Sequence, residues 1–122
     1  MATVNKLDKK VKMSNWDVIR LQIMIYCHLS KMAISHSDIN CLSLLAKEGS
    51  AELTSFCNKA HSEYNILSSV QSIRNSLAKL EKKKLIIKDG KNKKKIYINP
   101  DMNVLVTGNI LLNYNFLALE TT

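Results

Sequence analysis

At Leu85 the apolar residues of this chain stop repeating at the period of a helix and begin repeating at the period of a strand. Upstream, in "VQSIRNSLAKLEKK", Val70, Ile73, Leu77 and Leu80 fall within an arc of about 80° at 100° per residue. Downstream, "LIIKD" and "KIYIN" are short, isoleucine-rich and alternating, and "GKNKK" joins them with Asp89-Gly90 as a favourable turn pair. Pro100 closes the second strand, because proline has no N–H to give a ladder. The order is helix, short helix, helix, then a two-stranded hairpin. The expected class is α+β, mainly helical.

The remaining segments fit that class. Ser14 is placed to cap a helix from Trp16 to Lys31, with Asp17 in its first turn. Its apolar positions follow helical spacing, although "RLQIMIYCH" also alternates as a strand would; helix is the preferred reading. Ser37 precedes "DINCLSLLAKEG", where Ile39, Leu42, Leu45 and Ala46 share a face and Gly49 is a natural stop. Ser50 is the expected cap of a short amphipathic helix, "AELTSFCNKA", and His61 to Leu67 shows no period and reads as a connection. Ser68 or Ser69 then opens the helix over 68–83. In the tail, Ile110, Leu112, Tyr114 and Phe116 alternate with Leu111, Asn113, Asn115 and Leu117, which argues for a strand, with a helix as the other possibility. The expected organisation is a basic lead-in over 1–14, one domain over 15–100 and an extension over 101–122.

The net charge is +8, and it is concentrated. Residues 79–95 hold nine lysines against Glu81 and Asp89, whereas residues 96–122 hold no lysine or arginine. A focused block of one sign attracts polyanions more strongly than the same charge scattered over a surface. Cys27, Cys41 and Cys57 are an odd count without a Cys-x-x-Cys pair and sit on or beside apolar faces, so free thiols in a cytosolic core are expected. No apolar run is long enough to cross a membrane, and the N-terminal stretch does not look like a secretory signal. Enzyme chemistry finds no support: there is no glycine-rich phosphate loop, and His28, His36 and His61 lack metal-ligand spacing. No catalytic residue, metal or cofactor is expected.

The segment "SSVQSIRNSLAKLEKKKLIIKDGKNKKKIYINP" resembles the second half of the winged helix-turn-helix family. Serines open the helix, Leu77 and Leu80 form a Leu-x-x-Leu pair, Glu81 to Lys84 make a charged end, and Leu85-Ile86 lead into a basic hairpin. The likeness covers about residues 37–100, with weaker similarity to small winged-helix proteins of tailed phages and plasmid replication initiators. It departs from the family at Lys84, where a glycine is usual, and in a longer connection before the last helix.

The resemblance implies a winged helix with a C-terminal hairpin wing and extra terminal elements. It implies binding of double-stranded DNA through helix 68–83 and wing 85–99, as a regulator of transcription or replication in the cytoplasm. Gln71, Ser72 and Asn75 would then face base edges, Arg74 a guanine edge or a phosphate, and Lys79 and Lys82 phosphates. Lys91, Lys93, Lys94 and Lys95 on the wing would meet phosphates, with a log–log salt slope near −4 to −5 for about four to six contacts. A homodimer through residues 16–31 and 104–119 is the further expectation. The second reading is a structural or adaptor protein, such as a phage virion component, using the same fold for protein contacts or non-specific DNA contact. An RNA-binding module is a third, disfavoured by the lack of a row of exposed aromatics.

Overall fold

The computed structural model describes residues 2–6, 13–90, 94–107 and 115–119, and of the first and last of these segments the backbone. The elements in chain order are β1 (Ala2–Lys6), α1 (Asn15–Leu29), α2 (His36–Glu48), β2 (Ala51–Glu52), α3 (Leu53–Ser62), α4 (Val70–Lys82), β3 (Ile86–Asp89), β4 (Lys95–Ile98), a 3-10 turn at Pro100–Met102, and β5 (Asn115–Leu119). The molecule is mainly helical, with four described helices and a small three-stranded antiparallel sheet in the order β2-β4-β3. Among the described residues, no helix is long and apolar enough to cross a membrane.

The core is built on α2, whose run Ile39 to Ala46, apart from Asn40, is buried. Helix α1 lays Ile19, Ile23 and Cys27 into it, α3 adds Phe56, Cys57 and Ala60, and α4 adds Ile73, Leu77 and Leu80. The hairpin closes it through Leu85, Ile86 and Ile96. Each of the Ile, Leu and Phe side chains taken from water contributes about 1.5–3 kcal/mol before entropy is counted. All three cysteines are buried free thiols, as their apolar faces suggest, and burial pushes the Cys41 thiol up to about 11. A further clasp lies at the start of α1, where Trp16 stacks on Tyr64 with ring centroids 6.2 Å apart and Lys47 Nζ sits 5.9 Å from the Tyr64 centroid.

Caps explain where the helices begin, and two expected caps are corrected. Ser14 and Ser69 accept from Asp17 N and Ser72 N, as anticipated. Helix α2 starts two residues earlier than expected, because Ser35 rather than Ser37 accepts from Asp38 N. Helix α3 is capped by Glu52, not Ser50: its carboxylate accepts from Thr54 N and Ser55 N at 3.2 and 3.0 Å. Ala51 and Glu52 are thereby left extended and pair with Ile96 and Lys95 of β4, a short strand that the sequence reading missed.

Helix ends follow a shared rule. At α4, Lys84 N donates to Glu81 O and Leu85 N donates to Leu80 O, with Lys84 at φ +62°. At α1, Lys31 N donates to His28 O and Met32 N to Cys27 O, with Lys31 at φ +58°. Both are left-handed closures of the kind glycine favours, with a buried side chain at Leu80 or Cys27 opposite the outgoing apolar residue. The backbone at Lys84 therefore keeps the conformation that a glycine would supply, although the residue is lysine.

Strand β1 pairs antiparallel with β5, Ala2 opposite Leu119 and Val4 opposite Leu117. The tail therefore contains a strand over 115–119, as its alternation suggested, while its partner in the basic lead-in was not anticipated. The part of the expected tail strand over 108–114 lies outside the described residues.

Candidate nucleic-acid interface

Helix α4 presents Gln71, Asn75, Ala78, Lys79 and Lys82 to solvent on the side away from Ile73, Leu77 and Leu80. Gln71 and Asn75 are one helical turn apart and joined, Gln71 Nε2 donating to Asn75 Oδ1 at 3.0 Å. That bond uses one donor and one acceptor and leaves the rest of both amides facing outward, able to meet a base edge together. Ser72 is half-buried, and its hydroxyl lies 2.9 Å from that of Ser69, within the helix cap.

Arg74 leans off the flank of α4 and donates from Nη2 to Thr54 Oγ1, in the first turn of α3, at 3.0 Å. The next residue back, Leu53, donates its N–H to Lys94 O at 2.7 Å. Through these two bonds the N-terminal half of α4 and the start of β4 meet around the first turn of α3. Lys94 and Lys95 are exposed there. Glu52 is in the same neighbourhood, but its carboxylate is engaged by Ser55 Oγ and the two N–H groups of the cap, which hold it below the usual glutamate range.

The lysine block is not a uniform reservoir of free charge. Lys79 Nζ stands 2.7 Å from Asp38 Oδ2, in an ion pair outside hydrogen-bond geometry. Lys83 Nζ donates to Ala33 O, in the connection between α1 and α2, at 2.8 Å. Lys88 lies 3.8 Å from Glu81. Among the described residues, Lys82, Lys84, Lys94 and Lys95 are exposed and make no side-chain hydrogen bond or ion pair with another described residue. Lys91 and Lys93 lie outside the described residues.

Asp38 lies in the first turn of α2, where an acid complements the helix dipole. It is buried, at 3% exposure, and Ser76 Oγ of α4 donates to its Oδ1 at 2.5 Å. Burial opposes its ionisation more than any other single influence, yet Lys79, Ser76 and Ser35 together outweigh it and hold the carboxyl below the ordinary aspartate value. Asp38 thus ties α4 to α2 from below the exposed face. The faint signal for it was Ser76, a polar residue only about 40° outside the apolar arc of α4 at 100° per residue. No such signal pointed to Thr54, whose role follows from its contact with Arg74 twenty positions along the chain, whereas Glu52 caps α3 through its near neighbours Thr54 and Ser55.

Among the described residues, no three His, Cys, Asp or Glu side chains come together in a way that could hold a metal ion. No family model matches the chain, and searches of curated proteins and of solved structures return no match.

Proposed function

We propose that this chain is a winged-helix protein that binds duplex DNA, with α4 lying in the major groove and the β3–β4 hairpin acting as the wing. The observation that carries the reading is the convergence, around the first turn of α3, of the polar face of α4 with exposed lysines at the start of β4. The element order α2, β2, α3, α4, β3, β4 and the β2-β4-β3 sheet are compatible with that fold. In this reading Gln71 and Asn75 meet base edges as a pair, Arg74 reaches a guanine edge or a phosphate from its rest on Thr54, and Lys82, Lys84, Lys94 and Lys95 meet phosphates. Ser72 serves the cap of α4, and Lys79 serves Asp38. The role is that of a regulator of transcription or replication.

The test is fluorescence anisotropy on a random-sequence duplex pool across a salt series. Each phosphate neutralised adds about −0.9 to the log–log slope, so four lysines contribute about −3.6. Changing Lys82, Lys84, Lys94 and Lys95 together to glutamate removes that dependence. Gln71→Ala with Asn75→Ala leaves the slope in place and erases the sequence preference selected from the pool. Absence of binding at low salt, or a slope indifferent to the four lysines, overturns the reading. In that case the adaptor reading gains, on the strength of the exposed apolar side chains of α1.

A further inference from the structure

The outward face of α4 is a narrow ridge. Gln71, Asn75, Ala78 and Lys82 fall within an arc of about 60° at 100° per residue, and all four are exposed. Arg74 and Lys79 stand on its two sides and each is drawn away from it, Arg74 to Thr54 Oγ1 at 3.0 Å and Lys79 to Asp38 Oδ2 at 2.7 Å. Lys82 marks the far end of the ridge. The cations best able to give two hydrogen bonds to guanine are therefore beside its first two turns, which carry two amides and a methyl group.

The bond between the two amides narrows what they can read. Gln71 Nε2 donates one hydrogen to Asn75 Oδ1 at 3.0 Å, and Gln71 keeps one N–H and its carbonyl. The major-groove edge of guanine offers two acceptors, O6 and N7, which one donor cannot satisfy. The edge of adenine offers one acceptor, N7, and one donor, the N6 amino group. A glutamine with one N–H and one carbonyl left matches adenine. Asn75 retains both N–H groups for an acceptor on a neighbouring base, and by the same bond it orients the Gln71 amide.

Ala78 completes the ridge. Its exposed methyl group, seven residues beyond Gln71, has no polar atom to offer a base edge. In the major groove an apolar side chain finds its counterpart in the C5-methyl group of thymine. Seven residues of helix advance about 10 Å, or about three base pairs at 3.4 Å per step.

We infer that α4 selects A·T base pairs, with Gln71 pairing to an adenine and Ala78 packing on the methyl group of a thymine about three base pairs along. The inference rests on the duplex reading above and specifies its target.

The test is selection of a preferred site from the random duplex pool by the full chain, followed by anisotropy on that site with single bases exchanged. Deoxyuridine in place of the contacted thymine removes only the methyl group and should weaken wild type about four-fold, the effect of one buried carbon. The same exchange should have no effect on Ala78→Gly. Each comparison is made within one protein, so a general weakening of that variant cancels. Gln71→Arg brings a pair of free donors and should shift the preference at one position from adenine to guanine, by about ten-fold or more. Asn75→Ala releases the second N–H of Gln71 and should narrow the preference for adenine at that same position. All three side chains are exposed, so these changes leave the core untouched. A selected site rich in G·C, binding without sequence preference, or a thymine-to-uracil loss as large in Ala78→Gly as in wild type overturns the inference and leaves duplex binding standing. A wild type that binds no duplex at low salt overturns duplex binding, and the inference with it.

Discussion

Helices α1 and α4 are of similar length and each buries one stripe, yet their outer faces differ in kind. On α4 the outward residues are, apart from Ala78, amides and lysines, so the helix has one apolar side in the core and one largely polar side in water. On α1 the outward residues include Met24, Ile25 and Leu29, which lie outside the core formed by the described residues. The contrast separates two kinds of contact by chemistry. One face presents amides and lysines, the chemistry proposed above for a duplex, and the other presents exposed apolar side chains.

The largest effect expected from breaking this contrast is in the core. Leu77→Ala should cost about 2–5 kcal/mol in chemical denaturation, since it leaves a cavity under α4. Leu29→Ala, equally large as a truncation, should leave the stability of the single chain within about 0.5 kcal/mol, measured at dilutions where no association occurs. An equal loss at both positions would mean that the outer face of α1 belongs to the core after all.

Next in size is the tie beneath α4. Asp38→Ala should cost about 1–3 kcal/mol near neutral pH, because it strands the buried hydroxyl of Ser76. The half-exposed Lys79 adds little, being screened by solvent. The folded carboxyl titrates below its unfolded value, so its contribution is present in full above the ordinary aspartate value of about 3.9. It is lost as pH falls below that value, towards and through the lower folded one. The stability gap between wild type and Asp38→Ala should therefore narrow on acidification, to the part owed to the Ser76 hydroxyl, which a neutral carboxyl still accepts from; a gap unchanged in acid would deny the ionised tie.

A smaller effect sharpens the lysine assignments. Lys82→Gln should reduce the salt slope of duplex binding by about 0.9, whereas Lys79→Gln should leave it unchanged. Equal reductions would move Lys79 to the phosphate side. The smallest effect concerns the end of α4: Lys84→Gly relieves a left-handed side chain but frees the unfolded backbone, for a net gain of about 0.5 kcal/mol in thermal denaturation. A clear loss would mean that the stem of Lys84 packs usefully on the fold.

Periodicity read the four helices and the hairpin well, because each is a local pattern that tertiary contacts reinforce. What escaped it was decided at a distance. Ala51-Glu52 is too short to show a strand period, and becomes one only because β4 offers an edge while Glu52 turns back to cap α3. Ser37 and Ser50 are good capping residues in the abstract, but the chain enters α2 and α3 from geometries fixed by the core, and Ser35 and Glu52 stand at the entry points. In the candidate interface, exposure of Gln71, Asn75 and Lys82 was legible from the helical arc. The pairing of Lys79 with Asp38 and of Arg74 with Thr54 was not, since each joins residues at least twenty positions apart.

The bond from Lys83 to the carbonyl of Ala33 has a consequence of its own. Ala33 lies between Met32 and Ile34, both in the wall of a recess beside α1, and Lys83 is the residue on which α4 ends. A ligand at either surface that moves this bond would be coupled to a ligand at the other, and such coupling is reciprocal. On the proposed reading, by whatever factor a duplex on α4 changes the affinity of the recess for an occupant, that occupant changes the affinity for the duplex by the same factor. Lys83→Met removes the bond and should bring that factor towards one, leaving each equilibrium to proceed as though the other site were empty.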